Sequence, residues 1–433
     1  MNTIKFALLG TAAIAAVSVS AQASTASDVA ALKAQVEALS AQVAAAQTSA
    51  DLPAGYQFVT TSMQPSLLDP TRKAYTIAIM PTADAPASTI VQWTGFARAA
   101  LVYTSIHNDA TNVGAPQALA PDVTDSSQNH IKARGQLNVT GKTDTAVGEV
   151  GATLKIRDNW DGQVATAVSF PTAIGWWALT TNLTLSGGFD GIVGGIGGYG
   201  TDKLNAFYTD GAPNSAGNSG DTSQFALAYA DGPISFKIAV GHYEYKVANL
   251  SGVVGNPVPG PVLGANISDY AFGAQAEYKG DAFSAKVAGF VEGADYQVGV
   301  GATASMDMFT LSAAAAIGKD TNHTFNIWGG TFIAVEDATY WNANLFAGAS
   351  LSDSVKAELG VGYNNYQGST FGGATVNSNK LGVAGGLYYS PVSQLTIGAE
   401  ASWNREYTGG VNGGIFSGNT TTVAADLVTV FSF

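Results

Sequence analysis

The chain has 433 residues, of which 46% are hydrophobic and only 12% are charged, and its formal net charge is −13 at pH 7. Ordinary soluble domains have roughly 25% charged residues, so this chain is unusually poor in charge. The acidic balance argues against a nucleic-acid partner. Without cysteine there is no disulfide framework, and the four scattered histidines have no H-x-x-x-H spacing. We therefore predict no metal ligands, catalytic residues or cofactor.

Residues 1–23 are predicted to be an export signal. Lys5 supplies a positive charge, Phe6 to Val19 form an apolar run, and Ala21-Gln22-Ala23 matches an A-x-A cleavage site. A retained helical anchor is the alternative, but the run is short and wrongly flanked for a membrane span. No later segment offers about 18 consecutive apolar residues, so no spanning helix is expected.

Residues 24–50 are predicted to form a short α-helical coiled coil. Apolar residues recur at alternating spacings of three and four, which is the a/d heptad pattern. These residues are Val29, Leu32, Val36, Leu39, Val43 and Ala46. An isolated helix of about three heptads is marginal in water, so we expect several copies to associate in an oligomer, a homotrimer. The alternative is a single amphipathic helix that lies on the rest of the protein or on peptidoglycan.

Residues 51–88 form a transition segment. Pro53, Pro65, Pro70, Pro81 and Pro86 forbid a long regular element. Within it, the sequence from Ala74 to Met80 is compatible with one short strand.

From Thr89 to Phe433, apolar and polar residues alternate in runs of about ten that are separated by turn residues. Ile234, Phe236, Ile238 and Val240 share one face after the turn at Asp231-Gly232-Pro233, for example. Other turns are predicted at Gly141 to Asp144, Lys279 to Asp281 and Ser390-Pro391. The pattern predicts an all-β membrane protein, an antiparallel transmembrane β-barrel of about sixteen strands. An open water-filled lumen is expected at that strand number.

Short turns alternate with longer segments, as short periplasmic turns and long extracellular loops do in such barrels. The longer segments are Ser105–Ser127, Asp158–Ala173, Phe189–Asp221, Val247–Ile267, Lys319–Asp337, Asn364–Ser378 and Arg405–Asn419. A secreted β-sandwich or repeat adhesin also has alternating strands. The strand number, the Arg and Lys on the polar face and the aromatic residues near strand ends favour the membrane barrel. Those aromatic residues are Trp93, Tyr103, Tyr270, Tyr278, Tyr389 and Trp403.

Basic residues cluster on the polar face of the first three predicted barrel strands. They are Arg98, Lys132, Arg134, Lys155 and Arg157. Because these strands are adjacent in a barrel, the residues would align as a basic ladder on one wall of the lumen. Pores select ions with such rows of like charge, so the ladder is predicted to contribute to selectivity. The alternative is that they only balance lumen carboxylates such as Glu149, Glu277 and Glu358.

The last residues resemble the C-terminal assembly signal of bacterial outer-membrane proteins, because Leu427, Phe431 and Phe433 share one strand face. The wider layout resembles the alphaproteobacterial porin family. The likeness lies in Trp93 to Arg98, in Leu183 to Asp190 and in the terminal strand, although many members of that family carry a cysteine pair that this chain lacks. The resemblance implies a trimer of sixteen-stranded barrels whose third loop folds inward and narrows the pore.

That loop would span residues 189–221. Its carboxylates Asp190, Asp202 and Asp210 are expected to face the basic ladder and to set a field across the constriction. The alternative is a solvated Gly-rich cap outside the barrel.

The expected function is a porin in the Gram-negative outer membrane that conducts ions and small hydrophilic solutes passively. Its expected partners are outer-membrane lipid, lipopolysaccharide, the barrel-assembly machinery and two further copies of the chain. Two alternatives remain open: a substrate-specific channel for sugars or anions, and a barrel-anchored adhesin or envelope-tethering protein. An enzyme in the barrel is the remaining reading, since catalytic triads need not be adjacent in sequence.

Overall fold

A computed structural model describes residues 59–66, 73–79, 89–111, 124–161, 164–165, 168–196, 221–242, 270–327, 331–370, 375–411 and 417–433. The predicted export signal and the predicted coiled coil lie outside these residues, as do Asp202 and Asp210. Among the described residues, no helix is long and apolar enough to cross a membrane.

All the regular structure described is β-strand. The strands are β1 (Val59–Pro65), β2 (Lys73–Ile79), β3 (Thr89–Thr111), β4 (Thr124–Thr145), β5 (Gly148–Asp161), β6 (Val164–Ala165), β7 (Ser169–Ala178), β8 (Leu183–Gly191), β9 (Asp221–Asp231), β10 (Ile234–His242), β11 (Ala271–Lys279), β12 (Phe283–Glu292), β13 (Asp295–Met306), β14 (Phe309–Ile327), β15 (Thr331–Ser350), β16 (Val355–Thr370), β17 (Thr375–Val392), β18 (Leu395–Val411) and β19 (Ser417–Ser432).

The strands from β3 to β19, without the two-residue β6, form a closed barrel of sixteen antiparallel strands. Each strand pairs with the next in the chain, and β5 pairs with both β6 and β7. The last strand then returns to the first, because β19 pairs with β3 from Ser417↔Thr111 to Ser432↔Phe96. The predicted fold class and strand number are confirmed for the barrel.

The two faces of the barrel wall differ as the alternation predicts. On β9, Thr222, Gln224 and Ala226 are buried, whereas Phe225 between them is 67% exposed. Residues that lie directly opposite each other on neighbouring strands share a face. Following these pairs around the closed barrel assigns every strand an outer face rich in large apolar residues and an inner face of small or polar ones.

The outer surface is apolar over most of its extent. The aromatic residues predicted near strand ends are all exposed there: Trp93, Tyr103, Tyr270, Tyr278, Tyr389 and Trp403. Aliphatic residues such as Leu101 and Ile131, which are 56% and 58% exposed, lie between them. A soluble monomer rarely exposes a contiguous apolar surface this large, so the barrel wall is suited to contact with lipid.

Several predicted strand ends were wrong, because strands continue into segments that were read as turns or loops. Gly141 to Asp144 lies inside β4, and the turn to β5 is at Ala146-Val147. Ser390-Pro391 lies inside β17, and its turn is at Ser393-Gln394. The predicted long segments are shortened in the same way, since β3 runs to Thr111 and β14 to Ile327.

The transition segment contains two strands rather than the single strand that was predicted. β1 and β2 pair as a hairpin, and β2 pairs with the first residues of β3, from Ile79↔Thr89 to Tyr75↔Trp93. After Trp93, the same edge of β3 pairs with β19. At the change from one partner to the other, Phe433 exchanges backbone hydrogen bonds of 2.9 and 3.0 Å with Gly95. The transition segment, through β2, and the last strand, β19, therefore share the edge of β3 at which the barrel closes.

Tyr388 braces the inner wall beside this seam. It is 1% exposed, and it contacts Ala100, Val102 and Val428. Its ring fills the space that side chains at Gly386 and Gly398 would need, and its hydroxyl donates a 2.8 Å hydrogen bond to Glu400 Oε1. The ring and hydroxyl together connect β17, β18, β19 and β3.

We expect Tyr388→Ala to lower the free energy of unfolding by about 3–5 kcal/mol, because a large buried ring is removed. Tyr388→Phe should lower it by about 1–2 kcal/mol, because Glu400 loses a donor. Denaturant unfolding of the purified barrel in detergent measures both values. Tyr389→Ala is the control, since Tyr389 points outward and is 49% exposed. Equal losses for Tyr388→Ala and Tyr389→Ala would contradict the bracing role.

Candidate functional site

The basic residues of the predicted ladder lie on the inner face of three adjacent strands. Arg98 on β3 is directly opposite Arg134 on β4, and Gln136 on β4 is opposite Arg157 on β5. Lys132 and Lys155 share the same face at neighbouring positions. The structure therefore brings together Arg98, Lys132, Arg134, Lys155 and Arg157 on one inner wall, which we call the basic ladder.

Part of the ladder is held by neutral groups. Arg157 Nε donates a 2.9 Å hydrogen bond to Gln136 Oε1, and Gln136 in turn donates to Asn138 Oδ1 at 2.9 Å. Asn138 donates to Thr94 Oγ1 at 3.1 Å. The guanidinium of Arg98 lies 5.5 Å from the ring centroid of Phe96. An amide and a ring therefore contact Arg157 and Arg98 and help to fix their positions.

Several bases elsewhere on the inner wall are matched with acids, whereas Lys237 on β10 stands opposite Ala228 and Gln275. Lys142 forms an ion pair with Glu149, and Lys356 Nζ lies 3.0 Å from Glu358 Oε1. Two further bases stand directly opposite carboxylates, in the pairs Glu277↔Lys286 and Lys380↔Glu406. Like charges directly opposite each other destabilise a sheet, so the Arg98↔Arg134 pair marks the ladder as different from the rest of the wall.

A patch of buried carboxylates, which sequence reasoning did not single out, adjoins the ladder. Glu400 on β18 and Asp426 on β19 are directly opposite each other and are 4% and 5% exposed. Because β19 pairs with β3, these acids lie on the same side of the barrel as the ladder rather than across the lumen. Their inward position could have been read from the sequence, since each alternates with outward apolar residues such as Ala399 and Leu427.

Asp190 is not in a loop, as was predicted, but on β8. Thr172 Oγ1 donates a 3.2 Å hydrogen bond to Asp190 Oδ1, and Thr172 is directly opposite Lys155. Neighbouring strands are about 4.8 Å apart, so Asp190 lies roughly 10 Å along the wall from Lys155. It borders the ladder on the side away from Glu400 and Asp426.

The segment after β8 turns inward and packs against the inner wall of β9 to β14. Ile192, Val193 and Ile196 are buried in three apolar clusters. The wall residues in these clusters are Ala271 and Phe290 for Ile192, Ala226 and Ala239 for Val193, and Ala288, Ala314 and Ala316 for Ile196. Alanine at most of these positions leaves room for a second layer of chain inside the barrel.

Hydrogen bonds from inward-facing side chains hold this segment in place. Gln224 accepts from Val193 N at 3.2 Å and donates to the Gly191 carbonyl at 2.7 Å. Lys286 Nζ donates to the Gly195 carbonyl at 2.8 Å. Buried backbone polar groups need such partners, so these side chains make an inward-folded segment possible.

Glycine is required where this segment and the wall approach most closely. Gly194 has φ +108°, a conformation that side chains with a Cβ rarely adopt, and a Cβ there would overlap the carbonyl oxygen of Gly289 on β12. At Gly299 on β13, a Cβ would lie 2.5 Å from Ile196 Cγ1. Both sides of the contact are therefore fitted to each other.

This contact lies on the wall opposite the ladder. Seven barrel strands separate β4, at the centre of the ladder, from β13 in either direction around the sixteen-stranded barrel. Ile196 contacts β12, β13 and β14. The lumen therefore has a basic wall on one side and an inward-folded segment, Ile192 to Ile196, on the other.

No protein-family model and no curated protein sequence matches this chain. Among solved structures, a variant of the Rh. blastica porin is similar at 16% identity and a TM-score of 0.41, over 79% of this chain and 100% of that chain. The outer membrane channel DcaP of Acinetobacter baumannii is similar at 13% identity and a TM-score of 0.49, over 82% of this chain and 99% of that chain. Neither likeness is close enough to indicate function, which is inferred from the barrel itself.

Among the described residues, no group of three or more histidine, cysteine or acidic side chains could hold a metal ion. The charged inner residues are spread around the wall, and those described above contact hydroxyls, amides and each other. Their arrangement can attract, repel and orient a passing solute.

Proposed function

We propose that the protein is an outer-membrane porin through which ions and small hydrophilic solutes diffuse passively. The observation that carries the proposal is the arrangement of the lumen, with the basic ladder facing the inward-folded segment across a closed barrel. An apolar outer surface and a polar inner one are what a water-filled pore through lipid requires.

The inward-folded segment is the beginning of a constriction. A hydrated ion that passes between it and the ladder comes close to the cations of the ladder, because the segment takes up space on the opposite wall. Selection then follows from size, set by the segment, and from charge, set by the ladder. The carboxylates at Asp190, Glu400 and Asp426 flank the ladder and confine its positive field to one strip of the wall.

The same reasoning supports the remaining features of the proposal. Leu427, Phe431 and Phe433 are 51%, 56% and 59% exposed on the outer face of the closing strand, where an assembly factor could bind them. Lipid and lipopolysaccharide are the partners that the apolar outer surface needs. A homotrimer held by the heptads of residues 24–50, which can also contact peptidoglycan, is proposed from the sequence pattern alone.

Planar-bilayer recording of the purified protein tests the proposal. We expect stepwise current increases of uniform size in potassium chloride, because each inserted trimer adds the same three water-filled paths. A heat-denatured sample is the control. If folded, detergent-purified protein inserts into liposomes but adds no current and no permeability to small solutes, the porin proposal is wrong and the barrel serves as an anchor.

A further inference from the structure

Asparagine residues cluster on the inner wall next to the inward-folded segment. Asn342 and Asn344 on β15 are directly opposite Ala316 and Ala314, the two alanines of β14 that contact Ile196. Asn364 is opposite Asn342, and Asn404 lies on the same inner face of β18. We call Asn342, Asn344, Asn364 and Asn404 the amide patch.

Two glycines bring the amides of this patch within reach of one molecule. The inner-face row runs from Asn344 through Gly362 and Gly382 to Asn404 across four neighbouring strands. Three strand spacings of about 4.8 Å put the two asparagines roughly 14 Å apart at the backbone, and no side chain of that row stands between them. Their amides can therefore contact opposite ends of a ligand about the size of one or two sugar rings.

Three amides of the patch, Asn344, Asn364 and Asn404, have polar atoms without a hydrogen-bond partner within the described part of the chain. Asn344 is 5% exposed, and neither its Nδ2 nor its Oδ1 has a hydrogen-bond partner there. Asn404 is 3% exposed, and its Nδ2 has none. Asn364 Oδ1 also has none. Buried polar side chains in native proteins nearly always have partners, so donors and acceptors left open in this way point to a visiting ligand.

An aromatic ring lies on the same face. Phe346, two residues after Asn344, is 5% exposed and packs against Ala384 on β17. Its direct cross-strand neighbour is Gly360, so no β16 side chain separates it from β17. An apolar ring beside amide groups matches a sugar, which has C–H groups on its ring faces and hydroxyls around its rim.

The charges nearby favour a neutral ligand. Lys380 lies next to Asn364 in the neighbouring row, and it is directly opposite Glu406. The two side chains of this pair carry opposite charges. Asparagine amides both donate and accept, which suits hydroxyl groups better than it suits an anion, which only accepts.

We propose that the amide patch is a binding subsite for neutral polyhydroxylated solutes, that is, sugars, inside the channel. This inference rests on the proposed porin function and adds a preferred solute class to it. Separate hydroxyls of the sugar hydrogen-bond to Asn344 and Asn404, while a ring face packs against Phe346. The basic ladder, which starts on β3 beyond β19, has no part in this binding.

Current through single channels in the presence of glucose, maltose or maltotriose tests the subsite. We expect reversible, saturable reduction of the current with at least one of these sugars. Asn344→Ala and Asn404→Ala should each weaken the apparent affinity about tenfold, because the sugar then loses its amide partner. Asn129→Ala is the matched control, since Asn129 lies opposite the outward-facing Tyr103 and is exposed.

The outcomes separate this inference from the porin proposal. Channels that conduct but show no saturable response to any of the three sugars would overturn the subsite and leave the porin intact. An equal effect of a polyethylene glycol of similar mass would do the same, because it reflects viscosity alone. Unchanged affinity in Asn344→Ala and Asn404→Ala, with normal conductance as proof of folding, also rejects it. Absence of any conductance overturns both proposals.

Discussion

Replacing Arg98, Arg134 and Arg157 together by glutamine is expected to shift ion selectivity toward cations. At about 7 Å in water, one unit charge changes the energy of a passing monovalent ion by about 0.6 kcal/mol, which is roughly a threefold change in its local concentration. Removing three charges should therefore change the anion-to-cation permeability ratio by about threefold or more at low salt, where screening is weak. Reversal potentials in a potassium chloride gradient measure this ratio, and the shift should shrink at 1 M salt.

Two control variants separate charge from structure in that experiment. Replacing the same three arginines by lysine keeps the charge and should keep the selectivity close to that of the unmodified protein. Arg405→Gln removes a guanidinium on the outer face that donates a 3.1 Å hydrogen bond to Asn419 Oδ1. This variant should leave the ion selectivity unchanged. An unchanged reversal potential in the triple glutamine variant would remove the ladder from the mechanism.

Gly194→Val is expected to release the inward-folded segment from the wall of β12 and β13. The new side chain would require a left-handed backbone conformation and would overlap the Gly289 carbonyl, at a cost of about 1–3 kcal/mol. That cost lowers the ratio of seated to unseated segment about 5- to 150-fold. An unseated segment occupies space that the lumen otherwise leaves to water, so we expect lower, fluctuating single-channel conductance and closure at lower voltage.

Gly191→Ala provides the comparison for this variant. Gly191, the last residue of β8, is three residues earlier in the chain, and a Cβ there would meet open space. Its conductance and closing voltage should equal those of the unmodified protein. If Gly194→Val and Gly191→Ala both behave like the unmodified channel, the segment does not control the pore.

The barrel could be predicted because alternation persists over whole strands. In β10, Phe236 and Ile238 are 52% and 58% exposed on the outer face, and Lys237 between them faces inward, as the period of two requires. The same alternation assigned the ladder residues to one face, and the order of strands in a barrel made them neighbours. Face and neighbourhood are local properties, so a sequence can reveal them.

Strand ends could not be predicted in the same way. The residues His107, Asn108 and Asp109 read as a loop because they are polar, yet they belong to β3. Beyond the apolar band, both faces of a strand are compatible with water, and the contrast between faces is lost. Backbone pairing continues without it, as it does between Asp109 and Asn419.

The inward-folded segment was predicted from resemblance, but the wall residues that it packs against could not be predicted from the sequence. Ala288, Gly299 and Ala316 are small residues with no chemistry of their own, and their meaning appears only when three strands place them under Ile196. Asp426 and Glu400 were missed for a related reason, since neither has another carboxylate next to it on the inner face of its own strand. Only the pairing of β18 with β19 brings them together.

The seam between β19 and β3 has a consequence for how the protein is made. Its contacts join residues far apart in the chain, as in the hydrogen bond from Thr420 to Asn108, which are separated by 312 positions. Pairing over such a distance is slow, because a long loop must be closed before any contact rewards it. The barrel cannot close before β19 has been synthesised, and until then its apolar strands are exposed to aggregation. We therefore expect a holdase chaperone to shield the chain until the barrel closes.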